Sequence, residues 1–213
     1  MRRRKKPGSK EKLLGKTHWA VQEPINYRER WKEYFQGKQE IHVEIGTGRG
    51  QFLTTLAYEN PEIAYIGIEM KEEVLLRAVT KAEEKNLKNI AFLLFDANQL
   101  IDIFGEGELH RIYINFCDPW PKKRWAKRRL TYRKFLEKYK SMLVERGEIH
   151  FKTDNEKLFE FSLNEFSYSD FQLRNISFDL HHSDFQENIT TEYEDKFSQL
   201  GKPIFRCEAI KRN

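Results

Sequence analysis

The feature that most limits what this chain can fold into is an alternation of strand-length apolar runs with helix-length polar segments. Residues 41–45, 64–69, 90–95, 111–116 and 148–153 are short strand-like runs. Between them, residues 51–58, 72–86, 132–142 and 156–166 carry helical spacing, the first halted by Asn60-Pro61. Strands alternating with helices imply βαβ units and a parallel sheet covered on both faces. The end of the chain breaks the pattern. Residues 171–177 and 203–210 read as strands, with only a polar stretch, 181–201, between them and no helical periodicity. Strands joined without a crossover helix are expected to run antiparallel. The expectation is an α/β fold: a mostly parallel seven-stranded sheet finished by an antiparallel pair. Ahead of it, residues 27–36 read as an amphipathic helix with Tyr27, Trp31, Tyr34 and Phe35 on one side, closed by Gly37.

The 213 residues suit one domain, and 14% aromatic residues argue against wholesale disorder. No apolar run approaches the ~20 residues of a membrane span, and the basic start has no apolar stretch behind it. The two cysteines, Cys117 and Cys207, lie in apolar strand-like contexts and read as buried thiols, as expected in a reducing cytoplasm. No spacing of Cys or His suggests a metal site. Charge is uneven. Residues 1–16 carry eight Lys/Arg against one Glu, and residues 122–140 carry ten against one, so the remainder of a chain with net charge +5 totals −11. Two basic patches on an acidic body point to a polyanionic partner. Residues 1–20 are expected to form a basic, flexible tail before a single domain at 21–213.

Glu44-Ile-Gly46-Thr-Gly48-Arg-Gly50 follows a strand and opens a helix. Glycines there admit a ligand close to the backbone, and a helix N-terminus adds partial positive charge. A dinucleotide fingerprint would want glycine at 51, where Gln51 stands, which favours a nucleoside with a charged amino-acid tail. Glu69 ends the second strand, placed to accept ribose hydroxyls. Asp96 and Asn98 end the third, placed to hold an adenine amino group. Asp118 follows the fourth. Ligands of open α/β sheets bind outside these strand ends, so S-adenosylmethionine is the expected ligand.

Cys117-Asp118-Pro119-Trp120-Pro121 is the most specific stretch. Two prolines fix an extended loop that can present an acid and an indole. Trp120 can stack on a base, Asp118 can accept from a guanine edge, and Lys122, Lys123, Arg124, Lys127, Arg128 and Arg129 can follow a phosphate backbone.

These segments, with Ile68-Glu69, Asp96-Ala97-Asn98, Phe151-Lys-Thr-Asp-Asn155 and Thr191-Glu-Tyr-Glu-Asp-Lys-Phe197, resemble the bacterial tRNA (guanine-N7)-methyltransferases over nearly the whole chain. The resemblance implies a Rossmann-like class I fold and methylation, from S-adenosylmethionine, of guanine 46 in the variable loop of tRNA. It implies donor contacts at Glu44, Glu69, Asp96 and Asp118, with Asp118 catalytic. It implies substrate contacts at Lys122, Asp154, Thr191, Glu192, Tyr193 and Glu194, and RNA contacts over Arg124, Trp125, Ala126, Lys127, Arg128 and Arg129. Cys117 and Trp125 depart from the Ser and His often found at those places. The residues alone leave three other readings open. One is an exocyclic amino-group methyltransferase, against which Trp120 precedes the second proline. The others are a non-catalytic RNA-binding protein and a nicotinamide oxidoreductase. Oligomeric state, monomer or homodimer, is not legible.

Overall fold

The computed structural model describes residues 8–198 and 201–212. Helices α1 (Ser9–Leu14) and α2 (Trp31–Tyr34) precede β1 (Ile41–Ile45), α3 (Gln51–Glu59), β2 (Ala64–Glu69), α4 (Glu72–Glu84) and β3 (Ile90–Leu94). Then come β4 (Leu109–Asn115), α5 (Arg133–Met142), β5 (Leu143–Thr153), α6 (Glu156–Tyr168), β6 (Phe171–Ser177), α7 (Glu192–Ser198) and β7 (Phe205–Lys211). The strands form one seven-stranded sheet in the order β3-β2-β1-β4-β5-β7-β6. β1 to β5 pair in parallel, and β7 lies antiparallel between β5 and β6. The order reverses between β1 and β4, the switch point outside which such sheets bind ligands.

β2 and β3 read as nearly continuous apolar runs because both faces of the sheet are covered, while β1 buries His42 and Glu44 along with Ile41, Val43 and Ile45. Leu53 and Ala57 of α3 and Leu75, Ala78 and Val79 of α4 pack with Tyr65 and Phe92 in one cluster. Phe135, Leu136 and Tyr139 of α5 and Phe159 and Phe166 of α6 pack with Val43, Ile112 and Phe151 in the other. Local chemistry sets the ends. Asn155 caps α6 by accepting from the Leu158 amide at 2.8 Å, and Glu72 and Glu73 lie in the positive first turn of α4. Cys207 is in the core and Cys117 is half-buried; burial pushes both thiols up to about 12.

Three expectations are corrected. The single helix at 27–36 is instead a 3₁₀ turn at Pro24–Tyr27 followed by the short α2. The Glu108 carboxylate accepts from the amides of Glu29 (3.0 Å), Trp31 (3.1 Å) and Gly105 (2.8 Å), and Glu29 takes a positive φ of 64°, so the helix cannot run through. The polar stretch after β6 holds a 3₁₀ turn, Leu180–His182, as well as α7. Third, the part of the 1–20 segment that is described is not a tail. Leu13 of α1 is 5% exposed beside α4, the Trp19 indole donates to the Leu87 carbonyl at 2.8 Å, and Ala20 bridges Phe92 of the edge strand β3. Residues 1–7 lie outside the described residues. No helix among the described residues is long and apolar enough to cross a membrane.

Candidate active site

A cleft of about 510 Å³ opens at the carboxyl ends of β1 to β4, lined among others by Gly46, Glu69, Asp96, Asn98, Asp118 and Trp120. Its floor is the turn after β1. Gly46 has φ 82°, and a Cβ there would meet no atom within 4 Å, so the backbone faces open space. The Gly46 and Thr47 amides both donate to the Ile68 carbonyl, at 2.8 and 2.9 Å, tying the turn to β2. The three glycines do different jobs. Gly48 donates its amide to Glu69 Oε2 at 3.3 Å. Gly50 faces away from the cleft: a Cβ there would lie 2.6 Å from the Ala78 Cβ, so glycine is demanded by the closeness of α3 and α4.

The four acids also divide. Glu69 Oε1 accepts from the Met70 and Lys71 amides at 2.9 and 3.1 Å, which fixes its carboxylate at the rim of the cleft. Asp96 Oδ1 accepts from the Asn98 amide and side chain at 2.8 and 2.9 Å. Glu44, expected as a donor contact, does not line the cleft. It is 2% exposed beneath the turn, where the Thr47 hydroxyl donates to Oε2 at 2.7 Å and Asn115 Nδ2 to Oε1 at 2.9 Å. Burial pushes its carboxyl up to about 7, against the lowering effect of those two hydrogen bonds and of Lys152. The carboxylate of Asp118 makes no hydrogen bond within the described residues.

The loop carrying Asp118 is held in an uncommon conformation. Phe116 and Trp120 take φ values of 52° and 42°, a region that non-glycine residues rarely adopt. Arg129 holds it there, donating to the Pro119 carbonyl at 3.0 Å and the Trp120 carbonyl at 3.1 Å while its guanidinium lies 4.3 Å from the Phe161 ring. Arg129, expected to contact RNA, is half-buried and spends its Nε and one Nη donor on this loop. Lys127 and Arg128 line the cleft, with Arg128 stacked 4.9 Å from Trp120. Lys122 and Arg124 flank the Trp125 ring at 4.9 and 5.3 Å, and Trp125 meets Trp120 edge to face at 5.9 Å. Ala126 lies in the 3₁₀ turn Lys123–Arg128, its carbonyl accepting from the Arg129 amide.

The late segment reaches the same rim. The Tyr193 ring lies 4.9 Å from Phe116, and its hydroxyl donates to Asp154 Oδ2 at 3.2 Å. Thr191 caps α7 through its hydroxyl, which accepts from the Glu194 amide at 3.0 Å, and Glu192 pairs with Lys81 of α4. Glu194 is wholly buried against Lys152. A second cavity of about 730 Å³, beside α3, is lined by polar groups that pair with one another: Arg111 and the His150 ring on Glu148 at 2.8 Å each, and Arg206 on Glu208.

Residues 38–207 match a family model described as a putative methyltransferase. A tRNA (guanine-N(7)-)-methyltransferase of Clostridioides difficile (strain 630) is 58% identical over the whole of both chains. The namesake protein of Bacillus subtilis (strain 168) is 48% identical over 98% of each chain. The chain belongs to the tRNA (guanine-N(7)-)-methyltransferase family. Its sheet is that of a Rossmann-like class I methyltransferase. The 16S rRNA methyltransferase KamB shares that fold with a TM-score of 0.66 and 10% identity, over 87% of this chain and 94% of that one. A SAM-dependent methyltransferase from Aquifex aeolicus does so with 0.58 and 15%, over 97% and 100%.

Within this tRNA (guanine-N(7)-)-methyltransferase chain, the structure adds residues that sequence reasoning passed over. Asn115 and Thr47 hold Glu44, and Lys152 holds Glu194. Asn115 had one sequence signal, a polar side chain ending a strand directly before the Asp118 loop. Lys152 had none, since it continues the alternation of polar and apolar residues in Glu148-Ile-His-Phe-Lys152.

Proposed function

We propose that this chain transfers the methyl group of S-adenosylmethionine to N7 of guanine in tRNA, at position 46 of the variable loop. The observation that carries the reading is the joint lining of one cleft by the Gly46 turn, Glu69 and Asp96 on one side and Asp118 and Trp120 on the other. The cleft fits the donor. Open backbone at Gly46 suits the amino-acid tail, Glu69 suits the ribose hydroxyls, and Asp96 with Asn98 suits the adenine edge. Glu44 would act from behind, holding the turn. When bound, the donor supplies an electrophilic methyl group on a sulfonium.

Guanine N7 is an acceptor with a lone pair and no proton, so no side chain has to act as a base. Positive charge grows on the purine as N7 bonds, and the unpartnered carboxylate of Asp118 offsets it. Alignment of the lone pair supplies most of the remainder, and the strained loop under Arg129 keeps Asp118 and Trp120 in place for it. Lys122, Lys127 and Arg128 would carry the RNA backbone, and Tyr193 with Asp154 the far side of the base. A reducing cytoplasm is the setting this reading implies.

The test is incubation with S-adenosylmethionine and an unmodified tRNA transcript, followed by nuclease digestion and mass spectrometry. The expected product is 7-methylguanosine in the variable loop. A methylated adenine or exocyclic amine would move the chain to another reaction, and donor binding without methylation would mean another acceptor.

A further inference from the structure

The reaction described above does not use the buried charges of Lys152 and Glu194. Lys152, near the end of β5, is 5% exposed, and its ammonium donates to Glu194 Oε2 at 2.8 Å, the Ile189 carbonyl at 2.9 Å and Asn188 Oδ1 at 3.1 Å. Glu194 is 0% exposed. Its other oxygen, Oε1, accepts from Asn188 Nδ2 at 2.7 Å and lies 3.0 Å from His181 Nε2. All three partners of the lysine come from one stretch, 188–194, and His181 adds the turn before it. A lysine desolvated inside a sheet is unfavourable unless it is paired and hydrogen-bonded, and burial lowers its pKa here against the raising effect of Glu194. Both Glu194 oxygens are engaged and sealed from solvent, so this carboxylate is not offered to a substrate.

Lys152 also reaches the other side of the site. Its carbonyl accepts from the Phe116 amide at 2.9 Å, at the start of the loop that carries Asp118. One residue thus holds that loop through its backbone and the segment ahead of α7 through its side chain. The two meet where Tyr193 packs on Phe116.

We propose that Lys152 is a positioning residue for the tRNA side of the site: its buried pair with Glu194 fixes segment 180–195 against the sheet, so that Tyr193 stands beside the Asp118 loop. Glu194 acts by holding this segment and does not touch the substrate. The inference rests on the reading of the chain as a tRNA methyltransferase.

The experiment uses Lys152→Met, Lys152→Arg, Glu194→Gln and the double variant Lys152→Met/Glu194→Gln in the full chain. It measures kcat and KM for a tRNA transcript, Kd for S-adenosylmethionine, and hydrogen exchange of amides 180–195 without tRNA. Lys152→Met is expected to lower kcat/KM for tRNA at least tenfold and to speed exchange across 180–195, with donor Kd within about twofold of wild type. Lys152→Arg, which keeps the charge, is expected to recover most of the loss. Glu194→Gln alone is expected to resemble Lys152→Met. The double variant is expected to be more active than either single one, because neither buried charge is left without its partner. A double variant no better than Glu194→Gln, whatever stands at 152, would mean that Glu194 touches the substrate and would overturn the proposal. So would a Lys152→Met protein with unchanged tRNA kinetics and exchange, or one that loses donor affinity in step with activity. Absence of methylation by the wild-type protein would defeat the functional reading instead. The exchange arm then still decides whether Lys152 holds the segment.

Discussion

At the scale of single residues, the acids of the site separate by environment, and each environment carries its own test. Asp118 stands unpartnered in the cleft, so Asp118→Asn should keep donor affinity and lose turnover by about a hundredfold, the usual size of one electrostatic contact to developing charge. Donor Kd by titration and single-turnover rates separate the two; weakened donor binding with normal turnover would remove Asp118 from that role. Glu44 is the opposite case. Its carboxyl is raised from 4.5 to about 7 by burial. A folded pKa above the unfolded one means stability that is complete at low pH and lost as pH rises through about 7. Going from pH 5 to pH 8, the wild-type protein should therefore lose stability relative to Glu44→Gln by on the order of 3 kcal/mol. Denaturant unfolding of both proteins at the two pH values reads this directly, and equal slopes would mean that Glu44 is already charged under the turn.

At the scale of elements, the two arginines that close the basic stretch should behave differently although the sequence presents them as equals. Arg128 lies at the cleft over Trp120, so Arg128→Ala should weaken tRNA binding and make its salt dependence shallower by the share of about one phosphate. Arg129 donates to two carbonyls of the Asp118 loop, so Arg129→Ala should lower kcat with the salt slope unchanged. The same contrast explains what could be read in advance. β2 and β3 leave nearly continuous apolar runs in the sequence, and β1 and β4 leave runs rich in Ile and Val around a few polar residues, so strands and their acidic ends were legible. The insertion of β7 between β5 and β6 left no such mark, because pairing order depends on contacts between distant segments. α7 was missed because it shows no sustained apolar period and buries Glu194, an acid made tolerable by Lys152, Asn188 and His181. The break at Glu29 was equally hidden, since the amides that would continue the helix are taken by Glu108, almost eighty positions later. Likewise nothing local tells that Gly50 is required by Ala78 and not by a ligand.

At the scale of the whole molecule, the N-terminal segment joins the question of RNA affinity to that of stability, and the fold shows where to cut between them. Residues 2–6 are five consecutive cations, whereas Leu13, Trp19 and Ala20 are built into the packing of α4 and the edge of β3. Deleting residues 2–6 should weaken tRNA binding and flatten its salt dependence, because five cations are removed. Deleting residues 2–20 should do the same and also lower Tm by about 5 °C or more, since α4 loses the apolar cover of Leu13 and β3 regains an open edge. The shorter deletion is the decisive one. If its salt slope equals that of the full chain, residues 2–6 do not touch RNA, and the measured slope must then come from the stretch around Lys127 and Arg128. If the slope falls, residues 2–6 and the stretch around Lys127 and Arg128 share one tRNA, and the phosphates each neutralises add in the measured slope.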